Sequence, residues 1–180
     1  MIIKVKKNKH LSNEIAKPIL FGDGSLKVKV KFTFDSMYDV GEDQLDWNKL
    51  CGKSWGFLPL IKQFMMHENS SRFGCRLNLK TGCYQVTPYF YNKGKRYYAE
   101  NLKIKPTNLD WYVDYILQII PDIKRNKVAY LVKEEKTDKL LSYYVATQNI
   151  PSLKGWLAPF YFGGNKPANK EIKLFKTYIK

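Results

Sequence analysis

Strict alternation of apolar and polar side chains is the feature that most constrains this fold. Residues 27–34 set three lysines and a threonine against four apolar side chains: Lys27, Lys29, Lys31 and Thr33 against Val28, Val30, Phe32 and Phe34. Because neighbouring side chains point to opposite faces of a strand, the pattern predicts a half-buried strand with a basic outer face. Residues 72–79 repeat it, with an inward row of Phe73, Cys75, Leu77 and Leu79.

Turn residues separate the predicted strands. Lys80-Thr-Gly-Cys83 leads into a predicted strand over Tyr84–Tyr91. Asn92-Lys-Gly94 then leads into Arg96–Ile104, so both connections predict hairpins. Pro88 lacks an amide hydrogen, which predicts an edge position or a bulge. Further strands are predicted at Tyr112–Ile120, Lys127–Lys133, Leu141–Thr147, Trp156–Phe162 and Glu171–Tyr178.

Two kinds of segment are less regular. The run Trp111–Ile120 fits a buried helix as well as a strand, and its β-branched and aromatic residues favour the strand. Short helices or turns are predicted at Glu42–Leu50 and Leu58–Met66. Strands that recur about every 10–15 residues, with turns between them, predict an all-β fold: an antiparallel β-sandwich, jelly-roll-like, with one or two short helices.

The closing run from Gly155 to Lys176 contains an aromatic strand, a turn and a last strand, and it predicts the strand pair that closes the sandwich. Gly163, Gly164 and Pro167 set the turn, and the predicted core residues are Phe160, Phe162, Ile172 and Leu174. A length of 180 residues fits a single domain. We predict a basic N-terminal arm over residues 1–24 and the sandwich over residues 25–178.

The charge is high and uneven. The formal net charge is +15, and residues 35–48 hold five acids and no base. A positive field attracts polyanions, but 27 of the 31 basic residues are lysines, and arginine is the residue suited to bidentate phosphate recognition. No signal peptide is predicted at the N-terminus, and no run is long enough to span a membrane. Three cysteines without a CxxC pair are expected to be reduced, as in a cytoplasmic protein.

Four blocks in order carry a resemblance to a known family: Asp43-Gln-x-Asp-Trp-Asn-Lys-Leu-Cys-Gly52, His67-x-Asn-Ser-x-Arg-Phe-Gly-x-Arg76, Tyr89-x-Tyr-x-x-Gly94, and Pro159-x-Tyr-Phe-Gly-Gly-Asn-x-Pro-Ala168 with Glu171-Ile172. Together they resemble a family of jelly-roll-like β-sandwich proteins found in Bacteroidetes bacteria and their tailed phages, over about residues 25–176. The chain departs from that pattern at Lys170-Glu171, where His-Asp is expected, and at Cys75, where an aromatic is expected. The resemblance implies the fold and brings no activity.

One cluster suggests chemistry. His67 stands near Arg72 and Arg76, with Gln85, Tyr89 and Tyr91 on the next predicted strand. A polysaccharide lyase needs a cation for the uronate carboxylate and a Tyr or His as base and acid. The alternative is that the two arginines, which share a strand face, are solvated residues opposite the inward row.

The acidic segment contains Asp39, Glu42, Asp43 and Asp46. We predict Asp39 as the N-cap of a short helix with Glu42 as its capping-box partner, and calcium binding is the alternative. No cofactor, metal or catalytic residue is assigned, since the chain lacks a phosphate-binding glycine loop, a GxSxG elbow and a supported Cys–His pair.

Aromatic residues could stack on sugars or bases, although most are expected in the core. One member of each pair Tyr97-Tyr98 and Tyr143-Tyr144 must face outward. The candidate binding residues are Lys27, Lys29, Lys31, Arg72, Arg76, Tyr89, Tyr91, Lys93, Lys95 and Arg96.

Three functions fit these residues. The first is a non-enzymatic structural or interaction module, a phage virion accessory protein of the auxiliary capsid type, which docks through basic faces on an acidic capsid protein or another polyanion. The second is a glycan-binding or polysaccharide-lyase-like jelly roll. The third is a nucleic-acid-binding protein, which the net charge favours and the shortage of arginine disfavours.

Overall fold

The computed structural model describes residues 1–19, 22–56, 67–163 and 166–179 and contains two antiparallel β-sheets packed face to face. This confirms the predicted all-β sandwich. In chain order the strands are β1 (Ile2–Val5), β2 (Lys17–Ile19), β3 (Leu26–Lys31), β4 (Asn48–Trp55), β5 (Ser70–Asn78), β6 (Cys83–Asn92), β7 (Lys95–Tyr97), β8 (Thr107–Leu109), β9 (Asp114–Asp122), β10 (Lys127–Glu134), β11 (Leu140–Thr147), β12 (Gly155–Ala158) and β13 (Ile172–Ile179). Two 3₁₀ helices, Phe34–Ser36 and Gly41–Leu45, and a four-residue helix α1 (Ala99–Leu102) join them.

Sheet one has the strand order β1-β13-β3-β9-β10-β11. Sheet two has the order β2-β12-β4-β5-β6-β7, and β8 also pairs with β6. The segment 1–24, predicted as a basic arm before the sandwich, contributes β1 to sheet one and β2 to sheet two. The N-terminal residues therefore belong to both sheets. Along the part of the chain that is described, no helix is long and apolar enough to cross a bilayer.

The core lies between the sheets, where the inward side chains of both sheets meet. Val28, Val30 and Phe32 are buried there, as the alternation predicts. Phe34 is exposed, because β3 ends at Lys31 and Phe34 begins a 3₁₀ helix. On β5 the inward row is Phe73, Cys75 and Leu77, while Leu79 lies in the turn after the strand and is exposed.

Strand β6 explains how a proline fits inside a sheet. On one edge, β6 pairs with β5 from Cys83 to Tyr91, and Phe73 of β5 lies opposite Pro88. On the other edge, β8 pairs with residues 84–86 and β7 with residues 90–92, so Pro88 lies in the gap between them. The predicted edge position is therefore confirmed locally, because no neighbour among the described strands needs the missing amide hydrogen.

The hairpin between β6 and β7 is confirmed, with positive φ at Lys93 (51°) and Gly94 (77°) as in a tight two-residue turn. The predicted strand over Arg96–Ile104 is wrong beyond Tyr97, where the chain turns into α1. The run at Trp111–Ile120 forms β9 from Asp114 onward, so the strand interpretation is confirmed. The helix over Glu42–Leu50 is correct only to Leu45, since β4 begins at Asn48, and Leu58–Met66 lies outside the described residues.

The closing run does not form a strand pair. Strand β12 lies in sheet two and β13 in sheet one, so the chain crosses the sandwich between them. The four predicted core residues of this run are buried, which confirms that part of the prediction: Phe160, Phe162, Ile172 and Leu174. Gly163 lies against β4, where a Cβ would come within 2.4 Å of the Trp47 carbonyl oxygen. Only glycine fits this close crossing.

Candidate functional site

The outer face of sheet two carries the polar residues of β5 and β6. Arg72 is opposite Tyr89, and Arg76 is opposite Gln85. The arginines therefore share a face opposite the inward apolar row, as predicted. Arg72 and Tyr89 are each only 3% exposed, so the alternative that both arginines are solvated is wrong for Arg72.

A second apolar cluster lies on this outer face. It consists of Trp47, Tyr89, Tyr91 and Ala99, with Tyr98 and Ile104 packed against it. Helix α1 holds this layer in place and ends at Lys103, which adopts a left-handed conformation with φ 54°. Gly74 leaves room beneath the layer, since a Cβ there would lie 3.2 Å from Tyr89. The cluster removes water from side chains that the strand pattern alone would place in solvent.

Arg76 joins the elements of this layer. Its guanidinium lies 4.1 Å from the centre of the Trp47 ring, and its Nη1 donates to Glu100 Oε1 at 2.7 Å. Its Nε donates to Gln85 Oε1 at 3.0 Å. The indole Nε1 of Trp47 donates to the other Glu100 oxygen at 2.8 Å. Planar stacking combined with hydrogen bonds to a carboxylate suits arginine and not lysine.

A pocket of about 710 Å³ opens beside Arg76. We call it the outer pocket, and the lining residues used below are Glu42, Asp46, Trp47, Lys49, His67, Arg76, Tyr89, Tyr91, Arg96, Tyr98, Glu100 and Tyr161. Tyr98 and Tyr161 are half-buried. The Arg96 guanidinium lies 5.0 Å from the Tyr98 ring centre, and the Lys49 ammonium lies 4.6 Å from the Tyr161 ring centre. Two of the aromatic rings at the pocket therefore each have a cation close to them.

Burial, and after it the neighbouring charges, shift the pKa values of titratable groups in the outer pocket. Partial burial of the His67 ring, together with Lys49, Arg72 and Arg96, lowers the pKa of His67 to about 4. That ring stacks on Tyr91 with 4.7 Å between centroids. Burial, with Arg72 and Arg96 nearby, lowers the pKa of Lys49 to about 8. Burial raises the pKa of Tyr89. His67 and Tyr89 are therefore both neutral at pH 7.

The ten predicted binding residues fall in three places. Arg76, Tyr89, Tyr91 and Arg96 line the outer pocket, and Arg72 lies buried on the same face. Lys93 and Lys95 are exposed at and just after the turn of the β6–β7 hairpin.

Lys27, Lys29 and Lys31 lie on the outer face of sheet one, away from the pocket. There Lys29 pairs with Glu135 at 2.6 Å and Lys31 with Asp114 at 2.9 Å.

Some pocket residues were missed by sequence reasoning. Lys49, Glu100 and Tyr161 line the pocket but were not predicted, because each reaches it through a contact between distant parts of the chain. Lys49 and Tyr161, for example, exchange backbone hydrogen bonds of 2.9 Å in both directions. The expectation for the paired tyrosines is confirmed: Tyr97 stacks inward on Phe90, whereas Tyr98 faces the pocket.

The acidic segment lies at one side of the pocket. The N-cap of Gly41–Leu45 is Val40 and not Asp39, so the predicted capping box is wrong. Asp39 Oδ1 accepts the Gly41 amide hydrogen at 2.9 Å, and Gln44 takes the role expected of Glu42 by accepting the Val40 amide hydrogen. Within the described ranges, no group of three or more His, Cys, Asp or Glu side chains is arranged to hold a metal ion.

The fold and pocket define the chain as an antiparallel β-sandwich with a concave aromatic site. No protein-family profile matches the sequence, and no curated protein does. Among solved structures, the chain is similar to the enzymatically active domain of tailspike protein 2 of bacteriophage CBA120, at 9% identity and a TM-score of 0.45. That match covers 98% of this chain and 24% of the tailspike chain, so this chain spans about a quarter of it.

Two smaller structures are similar over most of their length. The CBM2 module of the evolved Dit of Lactobacillus casei BL23 phage J-1 is 9% identical at a TM-score of 0.47, covering 98% of this chain and 74% of that one. A legume lectin-like domain from Entamoeba histolytica is 12% identical at a TM-score of 0.41, covering 99% and 87%.

Proposed function

We propose that this protein is a glycan-binding β-sandwich module and that the outer pocket binds the sugar. The observation that carries the proposal is the composition of the pocket wall, where aromatic rings, cations and carboxylates occur together among the described residues. Its volume of about 710 Å³ lies in the range of small-molecule sites. A sugar residue has an apolar C–H face, which packs on a ring, and hydroxyl groups at its edge.

The aromatic part of the wall suits that apolar face. Tyr98 and Tyr161 are half-buried, so each is held by packing while part of its surface stays available. Trp47 is fixed from behind by Arg76 and Glu100. Rigid aromatic side chains lose little conformational entropy when a ligand packs on them.

The polar part of the wall suits hydroxyl groups better than phosphates. Among the described residues, three cations and three carboxylates line the pocket: Lys49, Arg76, Arg96, Glu42, Asp46 and Glu100. A hydroxyl donates to a carboxylate and accepts from a cation, so both charge types can be used. The carboxylates offset the attraction that these cations exert on a polyanion, and this disfavours nucleic acid at this site although the net charge is +15.

We further propose that the pocket binds without cleaving. A lyase base must take a proton from the sugar, and a pKa of about 4 makes His67 a weak base at pH 7. The two tyrosine candidates, Tyr89 and Tyr91, are 3% and 8% exposed, and burial raises the pKa of Tyr89. Incubation with uronate polymers should give no new absorbance from unsaturated chain ends, and such a signal would contradict this proposal.

The binding proposal is tested by screening the protein on an array of bacterial surface polysaccharides and neutral oligosaccharides, followed by titration calorimetry on the strongest hit. Tyr98→Ala and Tyr161→Ala should each weaken binding about tenfold, or ~1.4 kcal/mol, because each removes one stacking surface. Affinity should change less than about twofold with salt, since few counterions are displaced.

The matched control is Phe175→Ala, which removes an exposed aromatic from the outer face of sheet one. It should leave binding unchanged. Binding that falls equally in Phe175→Ala would show that the outer pocket is not the site. Binding that weakens steeply with salt would point to a polyanion and overturn the glycan proposal.

As a second candidate we propose a virion accessory protein of the phage-associated family that the sequence resembles, docked on an acidic capsid surface. Four exposed lysines favour it: Lys6, Lys7, Lys9 and Lys170. The segment around Asn8 is tied to residues near Lys170 by the Asn8 amide, which donates to the Ala168 carbonyl at 2.7 Å. None of the four forms an ion pair with another described residue.

Replacing Lys6, Lys7 and Lys9 together by glutamate should reduce the amount of the protein found in purified particles by mass spectrometry. The control replaces Lys124, Lys136 and Lys139, three exposed lysines elsewhere, and carries the same change of net charge. Equal losses in both variants would indicate an effect of net charge only. A protein absent from particles altogether would exclude this candidate.

A further inference from the structure

We propose that β11 is a dimerisation edge, at which two copies of this chain pair antiparallel about a twofold axis and join their two copies of sheet one into a continuous sheet. Strand β11 ends sheet one, and among the described strands only β10 pairs with it. Its eight residues, Leu140-Leu-Ser-Tyr-Tyr-Val-Ala-Thr147, contain no charge and no proline. The proposal concerns a different surface from the outer pocket.

The other four edge strands among those described are short or carry residues that proteins use against edge pairing, and the uncharged β8 has only three residues. Strand β2 has three residues and contains Lys17 and Pro18. Strand β7 has three residues, two of them basic, and β1 has four with Lys4 among them. Short length, lysine and proline all block the approach of a second strand. In a chain with a net charge of +15, an uncharged eight-residue edge is the exception.

The backbone groups of β11 face this open edge at alternate residues. The Gln148 amide donates to the Asn126 carbonyl at 2.9 Å, and the same register continues along β10 and β11. Hydrogen-bonded and non-hydrogen-bonded pairs alternate in an antiparallel ladder. Tyr143, Val145 and Thr147 therefore turn their N–H and C=O groups away from β10, toward the position of a further strand.

The side chains at this edge are apolar and exposed. Tyr143 is 60% and Val145 38% exposed, on the outer face. With Ile120 and Ala129 they line a groove of about 390 Å³, and its other lining residues are Asp122, Arg125 and Lys127 at one end of the strand. A second copy is the occupant that fits, because β11 itself is uncharged, so two strongly basic chains can pair along this edge with no cation in either paired strand. The twofold pairing uses the same patch on both copies.

The register follows from a bulge in β11. Val132 pairs with Ser142 and Lys133 with Leu140, so Leu141 has no partner in β10. A twofold axis at Tyr144 pairs Tyr143 with Val145 of the second copy and Ser142 with Ala146. All of these residues lie in the regular part of the strand. The irregular Leu141 then lies opposite Thr147, at the end of the paired strands, whereas an axis at Tyr143 would place it opposite Val145, closer to the axis.

Sedimentation velocity on the full chain over a wide concentration range, at low and high salt, tests the proposal. The chain should form dimers, more strongly at high salt, because salt screens the repulsion between the two net charges. Val145→Lys places a charge twice at the centre of the interface and should weaken dimerisation by about tenfold or more. Ile2→Lys adds the same charge at β1, the opposite end of sheet one, and should leave dimerisation unchanged.

A chain that stays monomeric at every concentration and salt, or a dimer that survives Val145→Lys, overturns the proposal. Register is read by cross-linking Tyr144→Cys in a Cys83→Ser background, since Cys51 and Cys75 are buried. Twofold-related residues in a non-hydrogen-bonded pair lie about 4.5 Å apart at Cα, within disulfide range. A disulfide-linked dimer is expected for Tyr144→Cys. If Tyr143→Cys forms the disulfide-linked dimer and Tyr144→Cys does not, the proposed pairing is wrong.

Discussion

The cations on the outer faces of the two sheets differ in their exposure and in their contacts. On sheet one, Lys29 and Lys31 pair with Glu135 and Asp114 at a surface where about a third of each side chain is exposed. On sheet two, Arg76 lies against Trp47 with 13% of its side chain exposed and holds Glu100 and Gln85. Both faces come from alternating strands with basic outward residues. What differs is the second layer that packs on sheet two.

That layer changes how much each charged group contributes to stability. Ion pairs at an open surface are screened by water, and their contribution to stability is small. The same groups under an aromatic layer interact through a medium of lower dielectric, where both attraction and desolvation are larger. We therefore expect substitutions on sheet two to change stability and pKa values more than matched substitutions on sheet one.

The largest difference is expected for Arg76→Ala against Lys31→Ala. Loss of the Arg76 side chain removes its contact with Trp47 and leaves Gln85 Oε1 and Glu100 Oε1 without the donor that Arg76 supplies, so the free energy of unfolding should fall by about 2 kcal/mol. Lys31→Ala should change it by less than about 0.5 kcal/mol. Urea unfolding at pH 7 measures both, and similar losses would contradict the contrast between the faces.

The next difference is the sign with which a lysine on each face makes the free energy of unfolding depend on pH. The pKa of Lys49 is lowered to about 8, chiefly by burial, and returns to about 10.4 in the unfolded chain. Between these values the unfolded chain binds more protons, so Lys49 makes the free energy of unfolding rise with pH. The substitution Lys49→Met should remove part of this rise of the free energy of unfolding with pH.

Lys29 should act in the opposite direction. Its hydrogen bond to Glu135, with Asp114 nearby, raises its pKa. Its stabilising contribution is therefore complete below about pH 10.4 and is lost as pH rises through the folded-state pKa, and Lys29→Met should remove that loss. Urea unfolding from neutral to alkaline pH compares the two variants. Burial also lowers the pKa of Lys53 to about 8, and Lys53 contributes equally in both variants. If the slope of the free energy of unfolding against pH changes with the same sign in Lys49→Met and Lys29→Met, the opposite roles of these two lysines are refuted.

The smallest effect is expected at His67. Because its pKa of about 4 lies below the unfolded value of about 6.5, its contribution to stability falls as pH drops between these values. Arg96→Ala removes one of the cations that lower this pKa and should raise the NMR titration midpoint of the His67 ring. Lys27→Ala, on the outer face of sheet one, should leave the midpoint unchanged. Equal shifts would mean that net charge, and not the pocket, sets the pKa.

Strand alternation made much of the fold predictable. The pattern around Val28 and Val30 gives the face of β3, and the row from Phe73 to Leu77 gives the face of β5, because a period of two is local. The position of Pro88 was also predictable, since a proline cannot fill a place in a fully paired ladder. The crossing between β12 and β13 was not predictable, because adjacent strands can pair or change sheets with the same sequence pattern.

The candidate site was predictable only in part. Arg76, Tyr89, Tyr91 and Arg96 follow from two adjacent strands and one hairpin, and these lie within a short stretch of sequence. Lys49 and Tyr161 meet through a backbone bridge between residues far apart in the chain. No local pattern marks such a pair.

The sequence by itself determined most of the strands, although not β1, β2, β4 or β8, and it determined which face of most of them is apolar and that the chain carries an excess of positive charge. Only the tertiary structure decided which of those charges meet water. Lys53 is fully buried and donates to the carbonyls of Gly24 and Leu153, and Arg76 lies beneath an aromatic layer. The physical reason is that strand direction is set by neighbours in sequence, whereas burial and dielectric are set by whichever distant segment packs on top.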